Sequence, residues 1–187
     1  MDVVGEAREV AGGWLAEALP RRWRHVQGVA SAADRVASTV AACSRSLLVA
    51  AAWLHDIGYA PGIDQTGFHP LDGARWLRQR GFDERLAALV ANHSCALWEA
   101  SLRGLADELR AEFPHEESAT TDALWYADLT TGPDGQAFTV EQRLTEIRAR
   151  YGPNHLVTRF WIDAEPEAVA AAQRVERRLE MIAAQPM

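Results

Sequence analysis

Lysine is missing from this sequence of 187 residues, in which arginine supplies all 19 cationic side chains. The absence excludes three kinds of chemistry: a phosphate-binding loop with its lysine, a Schiff-base intermediate on lysine, and a lysine general base. Any functional site in this chain must therefore be built from other side chains.

Cysteine is scarce, and long apolar runs are absent. Cys43 and Cys95 are the two cysteines, and neither belongs to a Cys-x-x-Cys pattern. We therefore expect two reduced thiols in the protein core. No charged and then apolar leader opens the chain, and no apolar run approaches the ~18 residues of a membrane span. These absences predict a cytoplasmic protein with no membrane partner.

Positive charge is not concentrated in any long stretch. The formal net charge is −7, and the densest basic patch, Arg21, Arg22 and Arg24, is short. A nucleic acid polymer is therefore disfavoured as a partner. A small anion is compatible with the negative total, because a bound metal ion reverses the local field. We expect a small-molecule substrate, and the pattern leaves the oligomeric state open.

Alanine and other hydrophobic residues are plentiful, and the hydrophobic set makes up 48% of the chain. A chain of this length fits one core, so we expect residues 1–187 to form a single domain. The apolar spacing predicts an all-α fold, a helical bundle. The predicted helices cover about 5–19, 22–41, 45–56, 70–80, 84–94, 95–112, 122–131, 140–150 and 166–183.

A loop rich in glycine and proline separates two of these helices. Pro61, Gly62 and Gly67 cannot continue a helix, so the stretch from Tyr59 to Phe68 is predicted to be irregular. Loops in such places often cover a site. We expect it to border a substrate entrance and to be more mobile than its flanking helices. The alternative is a rigid connector packed away from the site.

The motif WLHDIG places His55 and Asp56 at the end of the most apolar predicted helix. A carboxylate buried there is unfavourable unless it is paired or bound to a metal ion. Adjacent helical side chains point about 100° apart, so both can reach one ion only at a helix end. Gly58 supplies such an end. An isolated pair of this kind is more often a surface feature.

Four further residues turn the pair into a constellation. His25 lies on the inward face of its helix, His69 opens the helix after the loop, and His93 and Asp128 lie in apolar segments. Each alone is more commonly a core or capping residue. Together the six can meet in one bundle core. Imidazole and carboxylate suit Fe, Mn, Co, Ni or Zn, and six ligands exceed the need of one ion. We therefore expect two divalent transition-metal ions with a bridging carboxylate.

The order of these residues resembles the signature of the HD-domain superfamily of metal-dependent phosphohydrolases. The similarity covers roughly residues 20–131, in the segments RHVQGVASAADRVA, LLVAAAWLHDIG and ALWYADLTT. It implies an all-helical domain of the HD type, on which the helices of about residues 140–183 pack. It also implies a ligand set: His25, His55, Asp56 and Asp128 for one metal ion, and Asp56, as a bridge, with His69 and His93 for the second.

The resemblance further implies hydrolysis of a small nucleotide or related phosphoester, with Asp56 as the catalytic residue. Many members carry Lys or Glu three residues after the aspartate, where this chain has Tyr59. The departure favours a metal-bound hydroxide over a side-chain base as the route to the nucleophile. A cyclic mononucleotide, a dinucleoside polyphosphate and a nucleoside phosphate remain open as substrates.

Two other classes of function are compatible with the same ligand series. Some family members with six similar ligands use a mixed-valent di-iron centre to activate oxygen, and they cleave C–C or C–P bonds. Iron content and oxygen consumption distinguish that class from a hydrolase. A non-catalytic nucleotide-binding module is the other alternative, although an intact ligand series argues against it.

Three residues near the predicted ligands are candidates for substrate binding. Arg22 shares a helix face with His25, Tyr59 follows the His-Asp pair, and Thr131 lies about one turn beyond Asp128. We expect them at the mouth of the site. The two remaining histidines, His115 and His155, fall outside the series and are interpreted as structural or surface residues.

Overall fold

Helices are the regular elements of the described part of the chain, which in the computed structural model is residues 2–185. Within that range the only β-pairing is an isolated bridge between Thr131 and Ala137. The all-α prediction is confirmed. The α-helices are α1 (Val3–Leu15), α2 (Pro20–Val36), α3 (Arg45–Leu54), α4 (His69–Gln79), α5 (Glu84–Ala91), α6 (Ala96–Arg103), α7 (Ala106–Glu112), α8 (Ala119–Leu129), α9 (Val140–Tyr151) and α10 (Leu156–Ala183).

The helix α3 lies at the centre of the first hydrophobic core. It packs against α1, α2, α5 and α8, so its apolar residues face neighbours on nearly every side. Leu48, Ala50 and Leu54 are fully buried. An alanine-rich, apolar sequence suits this position because small side chains let several helices approach closely. No helix between residues 2 and 185 has both the length and the apolar character to cross a membrane.

A second hydrophobic core lies between α8, α9 and α10. It contains Trp125 and Leu129 of α8, Leu144 and Ile147 of α9, and Trp161 of α10. Both α8 and α10 also contribute to the first core, through residues such as Leu124 and Val175. The two cores are therefore joined by shared helices.

Two prolines occupy helix positions that differ from those the sequence suggested. Pro20 opens α2, and α1 ends earlier, at Leu15. Pro166 was expected to open the last helix, but it lies inside α10. Proline at that position leaves the carbonyl of Ile162 without a helical donor. The helix tolerates this because Ile162 and Pro166 are on its exposed face.

Two further expectations need correction. The single helix expected over about 95–112 is divided into α6 and α7 by Gly104, whose φ of 75° ends α6. Cys43 was expected in the core, but it is exposed, whereas Cys95 is buried as expected. Cys43 lies in a short 3-10 turn, where its side chain does not enter the bundle.

The loop between α3 and α4 is anchored to the bundle. Ile63 and Phe68 are buried in the first core. The carboxylate of Asp72 accepts the backbone N–H groups of Gln65 at 3.1 Å and Thr66 at 2.9 Å. Tyr59, the first residue of the loop, lines both cavities at the site described below, whereas residues 60–68 line neither. The contacts of Ile63, Phe68 and Asp72 favour an anchored loop, of which Tyr59 reaches the site.

Candidate metal centre

The six candidate residues come together from helix ends and from within two helices. His55 and Asp56 follow α3, and His69 is the first residue of α4. His93 begins the short 3-10 turn after α5, whereas His25 and Asp128 lie within α2 and α8. Side chains at helix ends can leave the helical direction, which allows the adjacent pair to face one centre. The six form two groups of three, His25, His55 and Asp128, and Asp56, His69 and His93, with one donor atom from each residue within 4.8 Å of the others in its group.

Asp56 lies between the two groups. Its Oδ2 atom is 3.2 Å from His55 Nε2 and 3.7 Å from His25 Nε2. Its Oδ1 atom is 3.3 Å from His69 Nε2 and 3.9 Å from His93 Nε2. Each carboxylate oxygen therefore faces a different pair of imidazoles, which is the arrangement expected of a bridging ligand.

The backbone sets the orientation of three of the imidazole rings. Nδ1 of His25 lies 3.0 Å from the Gly132 carbonyl, and Nδ1 of His55 and of His93 lie 2.8 Å and 2.6 Å from carbonyls three residues before them. A carbonyl only accepts hydrogen bonds, so each Nδ1 must carry the proton that it donates. When such a ring is neutral, its Nε2 lone pair points to the centre, as metal ligands require.

Asp128 is held by a residue that the sequence analysis missed. Its Oδ1 is 3.0 Å from His25 Nε2, and its Oδ2 accepts a hydrogen bond from the Ser94 hydroxyl. Ser94 and Cys95 have φ values of 46° and 60°, which are costly for residues with a side chain. The strained turn places the serine hydroxyl between His93 and Asp128. The signal available in the sequence was only its position next to His93.

Electrostatics favour ionised aspartates and a neutral His93. Burial would raise the pKa of Asp56, but Arg22, His55 and His69 outweigh it and lower that pKa well below its usual range. Burial would likewise raise the pKa of Asp128, but His25 and His55 lower it. Burial and the neighbouring histidines lower the pKa of His93 to about 3. The site thus presents carboxylates and a free imidazole, the forms that bind metal ions.

His55 differs from His93 in the balance of the same effects. Burial would lower the pKa of His55, but the carboxylates of Asp56 and Asp128 outweigh burial and raise it. This ring therefore experiences the negative potential of the centre most directly. A cation placed between the carboxylates would interact with that same potential.

Two glycines allow the close approaches that assemble the centre. A Cβ atom on Gly58 would lie 2.0 Å from the His69 carbonyl oxygen, and one on Gly28 would lie 2.7 Å from Thr131 Cγ2. Gly58 therefore permits the start of α4, with His69, to pack against the end of α3. Gly28 permits the turn that follows α8 to pack against α2, and this turn supplies the Gly132 carbonyl for His25.

The residues present fit a metal centre by their chemistry. Nε2 of His55 is buried and makes no hydrogen bond with any described residue, although a carboxylate oxygen lies nearby. A buried polar atom without a partner is costly, and a metal ion would satisfy it. Four imidazoles and two carboxylates form a nitrogen and oxygen donor set that suits divalent transition metals.

A small cavity opens beside the six residues. Its volume is about 80 Å³, and we call it the cluster cavity. Candidate ligands form part of its lining. The helices α9 and α10 contribute apolar residues, including Ile147, Phe160 and Trp161, which we call the apolar wall. The remaining lining includes Arg22, Tyr59, Glu99, Arg143 and Arg150.

The three predicted substrate-binding residues do not share one location. Arg22 and Tyr59 line the cluster cavity. The Arg22 guanidinium donates to Asp56 at 2.6 Å and lies 4.0 Å from the centre of the Tyr59 ring. Thr131 does not line the cavity, because it is buried and its hydroxyl donates to the Ala127 carbonyl at 2.7 Å. Its position indicates a role in packing.

The other two histidines lie outside the centre. His115 is exposed, with its ring 5.8 Å from that of Trp125. His155 caps α10 by accepting the N–H of Val157 at 3.2 Å. The sequence analysis did not identify Glu99, Arg143, Arg150 or Tyr151 as site residues. Arg143 and Arg150 are brought in only by the packing of α9, for which the local sequence carries no signal.

The largest of the described cavities is not at the centre. It has a volume of about 750 Å³ and is lined by Asn92, Cys95, Trp98 and Trp125, among others. It shares no lining residue with the cluster cavity, and none of the six candidate ligands lines it. Chemistry, and not size, therefore identifies the site.

These observations define a class: an all-helical protein with a buried His/Asp cluster suited to divalent metal ions. The family model described as the HD domain matches residues 22–144, from Arg22 at the cavity to the middle of α9. This chain therefore belongs to the HD-domain family, whose superfamily is that of the metal-dependent phosphohydrolases. No curated protein and no solved structure matches the chain.

Proposed function

We propose that this protein is a metal-dependent phosphohydrolase that acts on a small phosphoester at the cluster cavity. The observation that carries the proposal is the position of Asp56, whose two oxygens face separate His groups beside a cavity bordered by arginine. In this proposal His25, His55, Asp56 and Asp128 hold one divalent ion, and Asp56, His69 and His93 hold a second.

Divalent ions at these positions would supply a water molecule of lowered pKa and would offset the negative charge of the phosphoryl group. The chain supplies the rest. The carbonyls that accept from Nδ1 orient His25, His55 and His93, and the Ser94 hydroxyl orients Asp128. Rigid ligands of this kind need no rearrangement during the reaction.

Arg22 is the chain's nearest cation to the centre. Burial would lower its pKa, but Asp56 and the neighbouring tyrosines outweigh burial and raise it, so its charge is permanent. One terminal nitrogen donates to Asp56, and the guanidinium has further N–H groups for a phosphoryl oxygen. Stacking on Tyr59 fixes the plane of the group. Arg22 therefore both restrains Asp56 and can orient the substrate.

The apolar wall of the cavity gives the site a dry side. Ile147, Phe160 and Trp161 are buried and form part of the lining of the cluster cavity, together with its polar residues. Excluding water there strengthens the attraction between the substrate and the charged groups. In this proposal, water reaches the centre from the side on which the substrate enters.

Metal analysis combined with a substrate panel tests this proposal. The purified protein is stripped of metal, reloaded with Mn, Co, Ni, Fe or Zn, and assayed with nucleoside monophosphates, cyclic mononucleotides and dinucleoside polyphosphates. We expect about two ions per chain and phosphate release that depends on the metal. A loaded protein that consumes oxygen with an iron centre and hydrolyses none of these esters would contradict the proposal.

A further inference from the structure

A second cavity shares lining residues with the cluster cavity, and every charged residue that lines it is an arginine. It has a volume of about 370 Å³, and we call it the arginine cavity. Its charged lining residues are Arg21, Arg22, Arg143 and Arg150, and no aspartate or glutamate lines it. This is unexpected in a chain with 26 acidic residues and a net charge of −7.

The two cavities share part of their lining. Arg22, Tyr59, Arg143 and Arg150 line both of them. A molecule at the cluster cavity and an anionic group in the arginine cavity would therefore contact the same four side chains. The volume of the arginine cavity falls within the range of about 300–1,000 Å³ that is typical of small-molecule sites.

Arg143 is buried without a full set of partners. Its side chain is 8% exposed, and one terminal nitrogen donates to Glu146 at 2.5 Å. Its Nε is buried and has no acceptor among the described residues. A buried guanidinium with an unpaired N–H is costly, and an anion in either adjoining cavity would be attracted by its charge.

Glu146 does not neutralise the arginines around it. The same carboxylate also meets Arg150, whose Nε is 3.3 Å from Glu146 Oε1. One negative charge is thus shared between two guanidinium groups, which leaves an excess of positive charge on this face of α9. Arg21 differs, because it pairs with Asp134 at an exposed position.

Arg148 shows what an ordinary ion pair on the same helix looks like. It pairs with Glu165 of α10 and lines neither of these cavities. A purely structural role for the arginines of α9 would predict that pattern for all of them. Arg143 and Arg150 instead share one acid and border empty volume.

We infer that the substrate carries a second anionic group, a phosphate or a carboxylate, which Arg143 and Arg150 bind in the arginine cavity. This rests on the proposed function, because it places the reacting phosphoryl group at the metal centre. Leu19, Pro20 and Pro133 give the arginine cavity apolar sides, so the carbon skeleton between the two anions lies against them. A phosphoester whose leaving group carries a second anionic group is thereby preferred to one with a neutral leaving group.

Calorimetric titration of the metal-loaded protein tests this preference without any turnover. The probes are phenylphosphonate, 4-carboxyphenylphosphonate and 1,4-phenylenebisphosphonate, which differ only in the second group. We expect 4-carboxyphenylphosphonate and 1,4-phenylenebisphosphonate, which carry a second anionic group, to bind about tenfold more tightly than phenylphosphonate. A gain of that size is the effect of one charge-assisted hydrogen bond. The carboxylate and bisphosphonate arms show which anion the arginines prefer.

Variants of α9 assign the effect to the named residues. Arg143→Gln should remove the difference in affinity between phenylphosphonate and the two probes with a second anionic group. Arg150→Gln, at a more exposed position, should reduce that difference. Arg148→Gln is the matched control and should keep the full preference. Equal binding of all three probes by the wild-type protein would overturn the inference alone. Failure of phenylphosphonate to bind at all would contradict the proposed function, and this inference with it.

Discussion

At the scale of single residues, the centre depends on how one carboxylate is shared. Asp56 faces His25 and His55 with one oxygen and His69 and His93 with the other, and it also accepts from Arg22. Asp56 is grouped with His69 and His93, and its Oδ2 atom also faces His25 and His55 of the other group. Its removal therefore affects both proposed metal positions, whereas removal of any one histidine affects only one.

Asp56→Ala should abolish metal-dependent hydrolysis, with a loss of at least about 100-fold, and should lower the metal content measured by mass spectrometry. Helical circular dichroism should stay close to that of the wild type, because Asp56 lies beyond the end of α3 and Arg22 can reach solvent. His115→Ala is the control. His115 is exposed and outside the cluster, so that variant should keep its metal and activity. An active Asp56→Ala protein would refute the bridging role.

At the scale of elements, the site depends on the contact between the end of α3 and the start of α4. Gly58 lies where these two ends meet, with the His69 carbonyl at the position that a side chain would occupy. The same contact keeps His69 near Asp56. A change in backbone packing here moves one group of ligands relative to the other without removing any of them.

Gly58→Ala should therefore weaken the second group of ligands indirectly. We expect destabilisation of about 1–3 kcal/mol from overpacking, together with a lower metal content per folded chain. Gly13→Ala is the matched control. A Cβ at Gly13 in α1 meets no atom within 4 Å, so alanine there should stabilise the helix by about 0.5–1 kcal/mol. Chemical denaturation and metal analysis measure both effects, and normal metal binding by folded Gly58→Ala would contradict this account.

At the scale of the whole molecule, the cluster cavity lies between the two hydrophobic cores. The first core positions five of the six candidate ligands through α2, α3, α4 and α5. The second core carries α9 and α10, which form the apolar wall and contribute the arginines of α9. Because α8 and α10 bury residues in both cores, we propose that residues 1–187 form one domain.

A single domain should unfold in one cooperative transition. Trp53 packs on the first core and Trp161 lies in the second, so near-ultraviolet circular dichroism reports on both. We expect thermal curves from near- and far-ultraviolet signals to coincide, and bound metal to raise the midpoint, because it binds only the folded state. Two separate transitions would show instead that α9 and α10 form an independent unit.

Local sequence signals predicted much of this protein. Asp83 and Thr139 cap α5 and α9, and Gly81 follows α4 with a positive φ; each is a residue type that favours a helix end in any sequence. The ligand series also converges as expected. Pro166 was misinterpreted, because local rules permit proline at a helix start, and only the exposed face of α10 makes it tolerable inside one.

Apolar periodicity and the order of His and Asp were enough to predict the helical class and the six residues that meet at the centre, because these are properties of the chain before it packs. Which other side chains line the cavities depends on the packing of the helices. It took Thr131 into the interior and brought Arg143 and Arg150 to the cavity. Those outcomes depend on how α9 and α10 pack over the first core, since the reach of a side chain is set by contacts between residues that are distant in the chain.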